Sequence, residues 1–261
     1  METGNRVLIA FAFLGLMFLL FRPSIDLLPE ASTSVKTSIS PEKEVSAITS
    51  VVPHKGAENL NQRLLKGIDV SFYQGDISWS SIADDGIAFA YLKATEGVTL
   101  VDPQYLNNVE KLKSTPIQYG SYHFFQPSDD AEKQVDFFLS NVSLGGQLPP
   151  VLDIEVSHGL SPASIKSSAL IWLKAVESTT GCKPIIYTYK DFWETNLGSD
   201  FNDYPLWLAD YANRPSLPNG VSNYIFWQHS QKGKMKGISG SVDLDVYSGT
   251  VDDLQSLLCK S

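Results

Sequence analysis

The chain has 261 residues and 28.8 kDa, with 20 basic and 29 acidic residues and a net charge of −9. Apolar residues make up 43% and charged residues 19%, an ordinary globular balance that excludes wholesale disorder. A sequence pI near 4.9 leaves no basic face for nucleic acid or polybasic surface for a membrane, and two cysteines are too few for a disulfide framework or a Cys-based zinc site.

The chain begins with a separate element. Val7 to Phe21 is a 15-residue apolar run between Arg6 and Arg22. As a helix it would reach about 22 Å, short of the ~30 Å hydrocarbon core of a bilayer. That length suits the hydrophobic region of an export signal. No small-x-small cleavage pair and no lipid-accepting cysteine follows closely. Residues 1–22 are therefore read as a signal peptide or membrane anchor. Of the 31 residues 23–53, 14 are Ser, Thr or Pro, and none is aromatic. Such a stretch cannot bury enough apolar surface to offset its ordering entropy. Residues 23–64 are assigned to a disordered linker and residues 65–261 to one domain.

Within that domain short apolar segments alternate with amphipathic ones. Strands are predicted over 67–72, 87–95, 117–125, 150–156, 184–189, 206–211, 224–229 and 242–247. Helices are predicted over 79–85, 103–113, 129–141, 162–178 and 191–197, with a last one over 252–258. Ser161 followed by Pro162 reads as an N-cap with proline at the first helical position. Eight strands with intervening helices suggest a parallel barrel. The connections 212–223 and 230–241 are rich in Gly, Pro, Ser and Asn, so the last three strands lack full helices. The fold class is thus α/β, an irregular TIM-type barrel of five βα units and three further strands. A doubly wound open sheet is the alternative, but no Gly-x-Gly-x-x-Gly loop follows the first strand.

Acids late in apolar strands carry the functional signal, because sites in βα folds sit at strand carboxyl ends. The first strand gives Asp69, the fourth Asp153 and Glu155, and the eighth Asp243 and Asp245. Alternation puts Asp153 and Glu155 on one face, toward the barrel axis, with Cβ atoms roughly 7 Å apart at ~3.3 Å per residue. Two crowded acids cannot both ionise easily, so one stays protonated beside an ionised partner. Glycosidic-bond cleavage requires that pairing. A solvated or salt-bridged pair is the bland alternative.

The segments Gly67-Ile68-Asp69-Val70-Ser71, Lys93-Ala94-Thr95-Glu96-Gly97, Gly120-Ser121-Tyr122-His123-Phe124, Leu152-Asp153-Ile154-Glu155, Leu206-Trp207-Leu208-Ala209, Trp227-Gln228 and Val242-Asp243 occur in that order. Together they resemble glycoside hydrolase family 25, the Chalaropsis-type lysozymes or N-acetylmuramidases. The resemblance covers about residues 66–250 and implies an irregular (β/α)5(β)3 barrel. It implies Glu155 as general acid. Asp153 would stabilise the intermediate, by assisting attack of the substrate's 2-acetamido oxygen or as a nucleophile. Asp69 and Asp243 would be two further acids lining the site. Its substrate would be the β-1,4 bond between N-acetylmuramic acid and N-acetylglucosamine in peptidoglycan.

Aromatic faces stack on sugar rings. Tyr122, Tyr187, Trp207 and Trp227, near strand ends, are nominated as glycan contacts, with core packing as the alternative for each. Gln228, Glu96 and Asp245 complete the expected substrate-binding set. His123 alternates away from the site and is read as structural, and His158 is a weaker candidate for substrate contact. No metal-binding His spacing and no Gly-x-Ser-x-Gly elbow occurs, so no metal, cofactor or serine nucleophile is expected. Cys182 and Cys259 either pair or remain two buried thiols. A chitinase-like barrel also carries Asp-x-Glu on its fourth strand but adds upstream Asp residues, where Val151 and Gln147-Leu148 stand here. A tethered peptidoglycan-binding module without turnover is a rival of another class. The expectation is an exported monomer whose partner is peptidoglycan glycan strands, with no nucleic acid, and with membrane anchoring through Val7 to Phe21 if that run is retained.

Overall fold

The computed structural model describes residues 64–260. The expected export segment and all of the linker except Leu64 lie outside the described residues. No helix among the described residues is long and apolar enough to cross a membrane.

Nine strands form one sheet. They are β1 (Leu64–Val70), β2 (Ile87–Glu96), β3 (Leu100–Val101), β4 (Gln118–Phe124), β5 (Val151–Asp153), β6 (Ile185–Tyr189), β7 (Leu206–Ala209), β8 (Phe226–Gly233) and β9 (Val242–Ser248). The order β1-β9-β8-β7-β6-β5-β4-β2, with β1 also paired to β2, closes eight of them into a barrel. The two-residue β3 only folds back on the end of β2. The helices are α1 (Trp79–Asp84), α2 (Tyr105–Leu112), α3 (Ala131–Asn141), α4 (Pro162–Thr180), a short α5 (Lys190–Phe192) that runs on as one π-helical stretch (Trp193–Leu197), and α6 (Val251–Ser256). Ser161 caps α4 by accepting from the Ser164 amide, with Pro162 in the first turn.

Two expectations change. Strand β1 runs from Leu64, which pairs with Ser248, one residue before the boundary drawn from composition. The barrel is not wholly parallel: β9 runs antiparallel to both β8 and β1. The β8–β9 connection, residues 234–241, is shorter than the crossover of a dozen or more residues that a parallel pair needs, so the chain reverses into a hairpin. Asp243 therefore sits at the start of its strand, yet reaches the same barrel end as the carboxyl ends of the parallel strands. Its register partner is Asp69.

Strand alternation splits the core in two. Phe89, Tyr91, Val151, Ile185, Trp207 and Phe226 fill the barrel interior. Ala90, Leu92, Leu152, Ile186 and Leu208 point outward against the helices, where Trp172 is fully buried. Glycine makes room for large rings inside: a Cβ on Gly67 would lie 2.2 Å from the Phe89 ring, and one on Gly120 would lie 2.4 Å from the Tyr91 ring. These rings fill the lower barrel. His123 belongs to the outer layer, as expected. It is fully buried, bonded to Thr95 Oγ1 at 2.8 Å and Gln134 Oε1 at 3.0 Å, and stacked on Trp172. Burial pushes its pKa down to about 4, so it stays neutral.

Cys182 and Cys259 form a disulfide across 77 residues, which resolves the open choice between a bridge and two thiols. The bridge ties the start of β6 to the C-terminal segment, where Cys259 N also donates to Gln147 O at 2.7 Å. Closing so long a loop restricts the unfolded chain. The Cys182→Ser/Cys259→Ser protein is expected to lose about 2–5 kcal/mol in urea unfolding, with the same far-UV circular dichroism. No change in midpoint would show that the bridge contributes nothing.

Candidate active site

At the strand ends the interior face turns from apolar to polar. On β1 the inward series is Gly67, Asp69; on β2 it is Phe89, Tyr91, Lys93; on β5 it is Val151, Asp153; on β8 it is Phe226, Gln228. Each series places its polar member uppermost. Asp69, Lys93, Asp153 and Gln228, with Val151, line a cavity of about 290 Å³.

Asp69, Asp153, Glu155 and Asp243 all line that cavity. Strand β5 ends at Asp153, shorter than predicted, so Glu155 lies two residues beyond the ladder. The chain nevertheless stays against its neighbours: Phe125 N donates to Asp153 O at 2.8 Å and Ile154 N to Tyr187 O at 3.0 Å. Ile154 is buried in the outer layer, and the residues on either side face the cavity.

Electrostatics in this space follow from burial and from like charge. Burial is the main force raising the Asp153 carboxyl well above the ordinary range, and the neighbouring Glu155 adds to it. Glu155 is raised too, first by burial and then by Asp243. Burial lifts Asp243 to about 6. Lys93 opposes this, favouring the ionised forms of both Asp153 and Glu155. Asp153 Oδ1 is buried without a hydrogen-bond partner. An unpaired buried carboxylate oxygen is costly unless it carries or accepts a proton.

A chain of polar contacts fixes the opposite wall. The hydroxyls of Tyr187 and Tyr211 both donate to Gln228 Oε1, at 2.9 and 2.8 Å. That turns the Gln228 amide nitrogen toward Asp69, to whose Oδ2 it donates at 2.7 Å. One layer deeper, Trp207 Nε1 donates to Asp245 Oδ1 at 3.0 Å.

Of the aromatics nominated from sequence, Tyr122, Tyr187 and Trp207 line the cavity, as does Gln228. Trp227 does not. Alternation on β8 turns Phe226 and Gln228 inward and Trp227 outward, where its indole donates to Asp210 O at 2.6 Å and its ring packs on His229. Glu96 also stays off the cavity: it pairs with Lys93 Nζ at 2.5 Å and accepts from Gln126 Nε2 at 2.9 Å, bracing the lysine. Asp245 lies beneath the lining. His158 contacts Gln126 at 2.5 Å and is not part of the lining. Sequence reasoning missed Lys93, Tyr211 and Tyr73 as cavity residues. The odd-numbered series Phe89, Tyr91, Lys93 could have revealed the first. Tyr73 and Tyr211 lie just beyond strand ends, where periodicity gives no direction.

The comparisons with known proteins agree with this geometry. The family model described as Glycosyl hydrolases family 25 matches residues 68–238. The chain is 42% identical over 200 residues to the Escherichia coli K12 protein named YegX, covering 74% of this chain and 73% of that one. It is 34% identical over 212 residues to Lysozyme M1 of Streptomyces globisporus, covering 74% and 71% respectively. The crystal structure of the bacterial lysozyme from Streptomyces coelicolor superposes with a TM-score of 0.71 at 34% identity, covering 74% of this chain and 96% of that one. With two thirds of its length matched by the family model, the chain belongs to glycosyl hydrolases family 25 and is a glycoside hydrolase of the lysozyme type.

Proposed function

We propose that this chain is an N-acetylmuramidase that hydrolyses the β-1,4 bond between N-acetylmuramic acid and N-acetylglucosamine in peptidoglycan. The observation that carries the reading is the convergence of Asp69, Asp153, Glu155 and Asp243 on one cavity whose floor is closed by aromatic rings. Glu155, whose carboxyl burial and then Asp243 raise above the ordinary range, gives its proton to the leaving oxygen as the glycosidic C–O bond breaks. The anomeric carbon then bonds either to Asp153, acting as nucleophile, or to the substrate's own 2-acetamido oxygen, which Asp153 orients. Water then adds at that carbon and returns a proton to Glu155, with net retention. Tyr122, Tyr187 and Trp207 offer ring faces and polar tips to the sugars.

Export fits both the substrate and the disulfide, since such bonds persist in oxidising compartments. Val7 to Phe21 would direct the chain across the membrane, and if retained would anchor it there. No cofactor enters the scheme.

Three outcomes are expected. Mass spectrometry of purified peptidoglycan digested by the full chain should show new reducing-end N-acetylmuramic acid. Reducing-end N-acetylglucosamine would mean a glucosaminidase, and no release at all would leave a binding module. Glu155→Gln should cut kcat/KM by at least about 10²-fold while glycan pull-down persists.

The second outcome concerns Lys93. Its positive charge lowers both Asp153 and Glu155. Lys93→Met should therefore move both limbs of the pH–kcat/KM profile to higher pH; an unmoved profile would show that Lys93 is electrostatically silent.

The third concerns stability. Carboxyls whose folded pKa is raised stabilise the fold below their unfolded value and lose that contribution as pH rises through the folded one. For Asp243 that window runs from 3.8 to about 6. Asp243→Asn should therefore flatten the decline in stability across those pH values, as read from urea midpoints at several pH settings.

A further inference from the structure

Asp245 was expected to touch substrate, yet it does not line the cavity. Its position suggests another task. The β1–β9 register sets Asp69 opposite Asp243 and Gly67 opposite Asp245. On the other side Asp245 pairs with Gln228. Asp245 thus sits one layer below Asp69 on the same inner face, and it is 1% exposed.

The donors around this pair can be counted. Asp245 Oδ1 accepts the Trp207 indole N–H at 3.0 Å. Asp69 Oδ2 accepts the Gln228 amide at 2.7 Å. Asp245 Oδ2 is buried with no N–H or hydroxyl directed at it. Among the described residues Lys93 is the one basic residue in the cavity lining, and its ammonium is held by Glu96. Two buried carboxyls one layer apart on the same inner face, each with a single N–H donor and, among the described residues, no counter-ion paired to either, are costly to ionise together. One proton between them completes the network as a short, charge-assisted O–H···O⁻ bond.

We propose that Asp69 and Asp245 share a single proton below the cavity, with Asp245 the positioning residue that keeps Asp69 uncharged and fixed in orientation on the cavity wall. The proton resides on Asp69 and is donated to Asp245, whose ionised form is held by the Trp207 N–H. Burial raises both groups, in keeping with a proton retained at neutral pH. The consequence is chemical. Sharing the proton removes a negative charge from the wall, so that Asp153 and Glu155 titrate against each other, Asp243 and Lys93, with Glu96 acting further on Asp153. Asp243, the register partner of Asp69, also faces the pair and its charge raises both groups, which further favours a retained proton. The remaining titratable groups facing it are phenols: Tyr91 from β2, Tyr122 from β4, Tyr187 from β6, and Tyr211 beyond β7. Burial raises all four, and they stay neutral.

This inference rests on the muramidase reading for its effect on rate, but its proton count is read without substrate. Carboxyl-carbon NMR of the full chain, labelled at Asp and Glu, should show two retained protons at pH 7. Glu155→Gln should remove one and leave the other. Asp245→Asn should remove the other, because the new amide donates to Asp69 and lets it ionise. In activity assays on peptidoglycan, Asp245→Asn should lower kcat/KM by about 10- to 10²-fold. It should also shift both pH limbs upward, since the negative charge moves from beneath the cavity onto its wall. A change in packing alone would not move the limbs. Should Asp245→Asn fail to fold, Trp207→Phe serves instead: without the indole N–H, ionised Asp245 is less stable, and the pair should hold its proton to higher pH. Two protons retained in Asp245→Asn, a pH profile overlaying the wild type, or an unshifted pair in Trp207→Phe would each overturn the proposal.

Discussion

Five carboxyls crowded at one end of a closed barrel are the constraint around which this domain is arranged. Charge of one sign in a poorly hydrated space is expensive, and an enclosed barrel offers few counter-ions. Among the described residues Lys93 is the single cation in the lining, and it is already shared with Glu96. Retained protons and oriented neutral donors must do the rest. Gln228 is the clearest case: two tyrosine hydroxyls hold its carbonyl so that its amide faces Asp69.

The stability that offsets this crowding comes from elsewhere in the fold. The lower barrel is filled by Phe89, Tyr91 and Phe226, rings that Gly67 and Gly120 admit by lacking side chains. Outside, Trp172, His123 and Phe138 pack the interface between the barrel and α3 and α4. The Cys182–Cys259 bridge fastens the chain's last turn to the barrel. A rigid apolar base beneath a strained acidic rim is a familiar division of labour in enzymes, where activity is bought with local instability.

Rigidity also explains how Glu155 keeps its aim although β5 stops at Asp153. Backbone bonds from Phe125 and Ile154 hold the segment between β4 and β6. Catalytic geometry here thus depends on neighbouring strands as much as on the residue's own. The same holds for Asp243, whose place beside Asp69 follows from the reversed direction of β9.

The sequence by itself determined the eight barrel strands and the main helices, the inward face of the fourth strand and the chemical character of the site. Alternation is a local property: once Val151 faces inward, Asp153 must do so too, and this was legible from two residues of spacing. The ordered motifs likewise indicated the barrel. Strand direction, depth and pairing were decided only by tertiary structure. Nothing local distinguishes a parallel β9 from an antiparallel one, because the side-chain period is two in either case. Depth separates Asp243 at the mouth from Asp245 beneath it, and it depends on how eight strands stagger around the barrel. Trp227 turned outward because alternation on β8 is anchored by Phe226 and Gln228, a phase that aromatic content alone could not reveal. The disulfide too required three dimensions, since two cysteines 77 residues apart become neighbours only when the C-terminal segment folds back along the barrel.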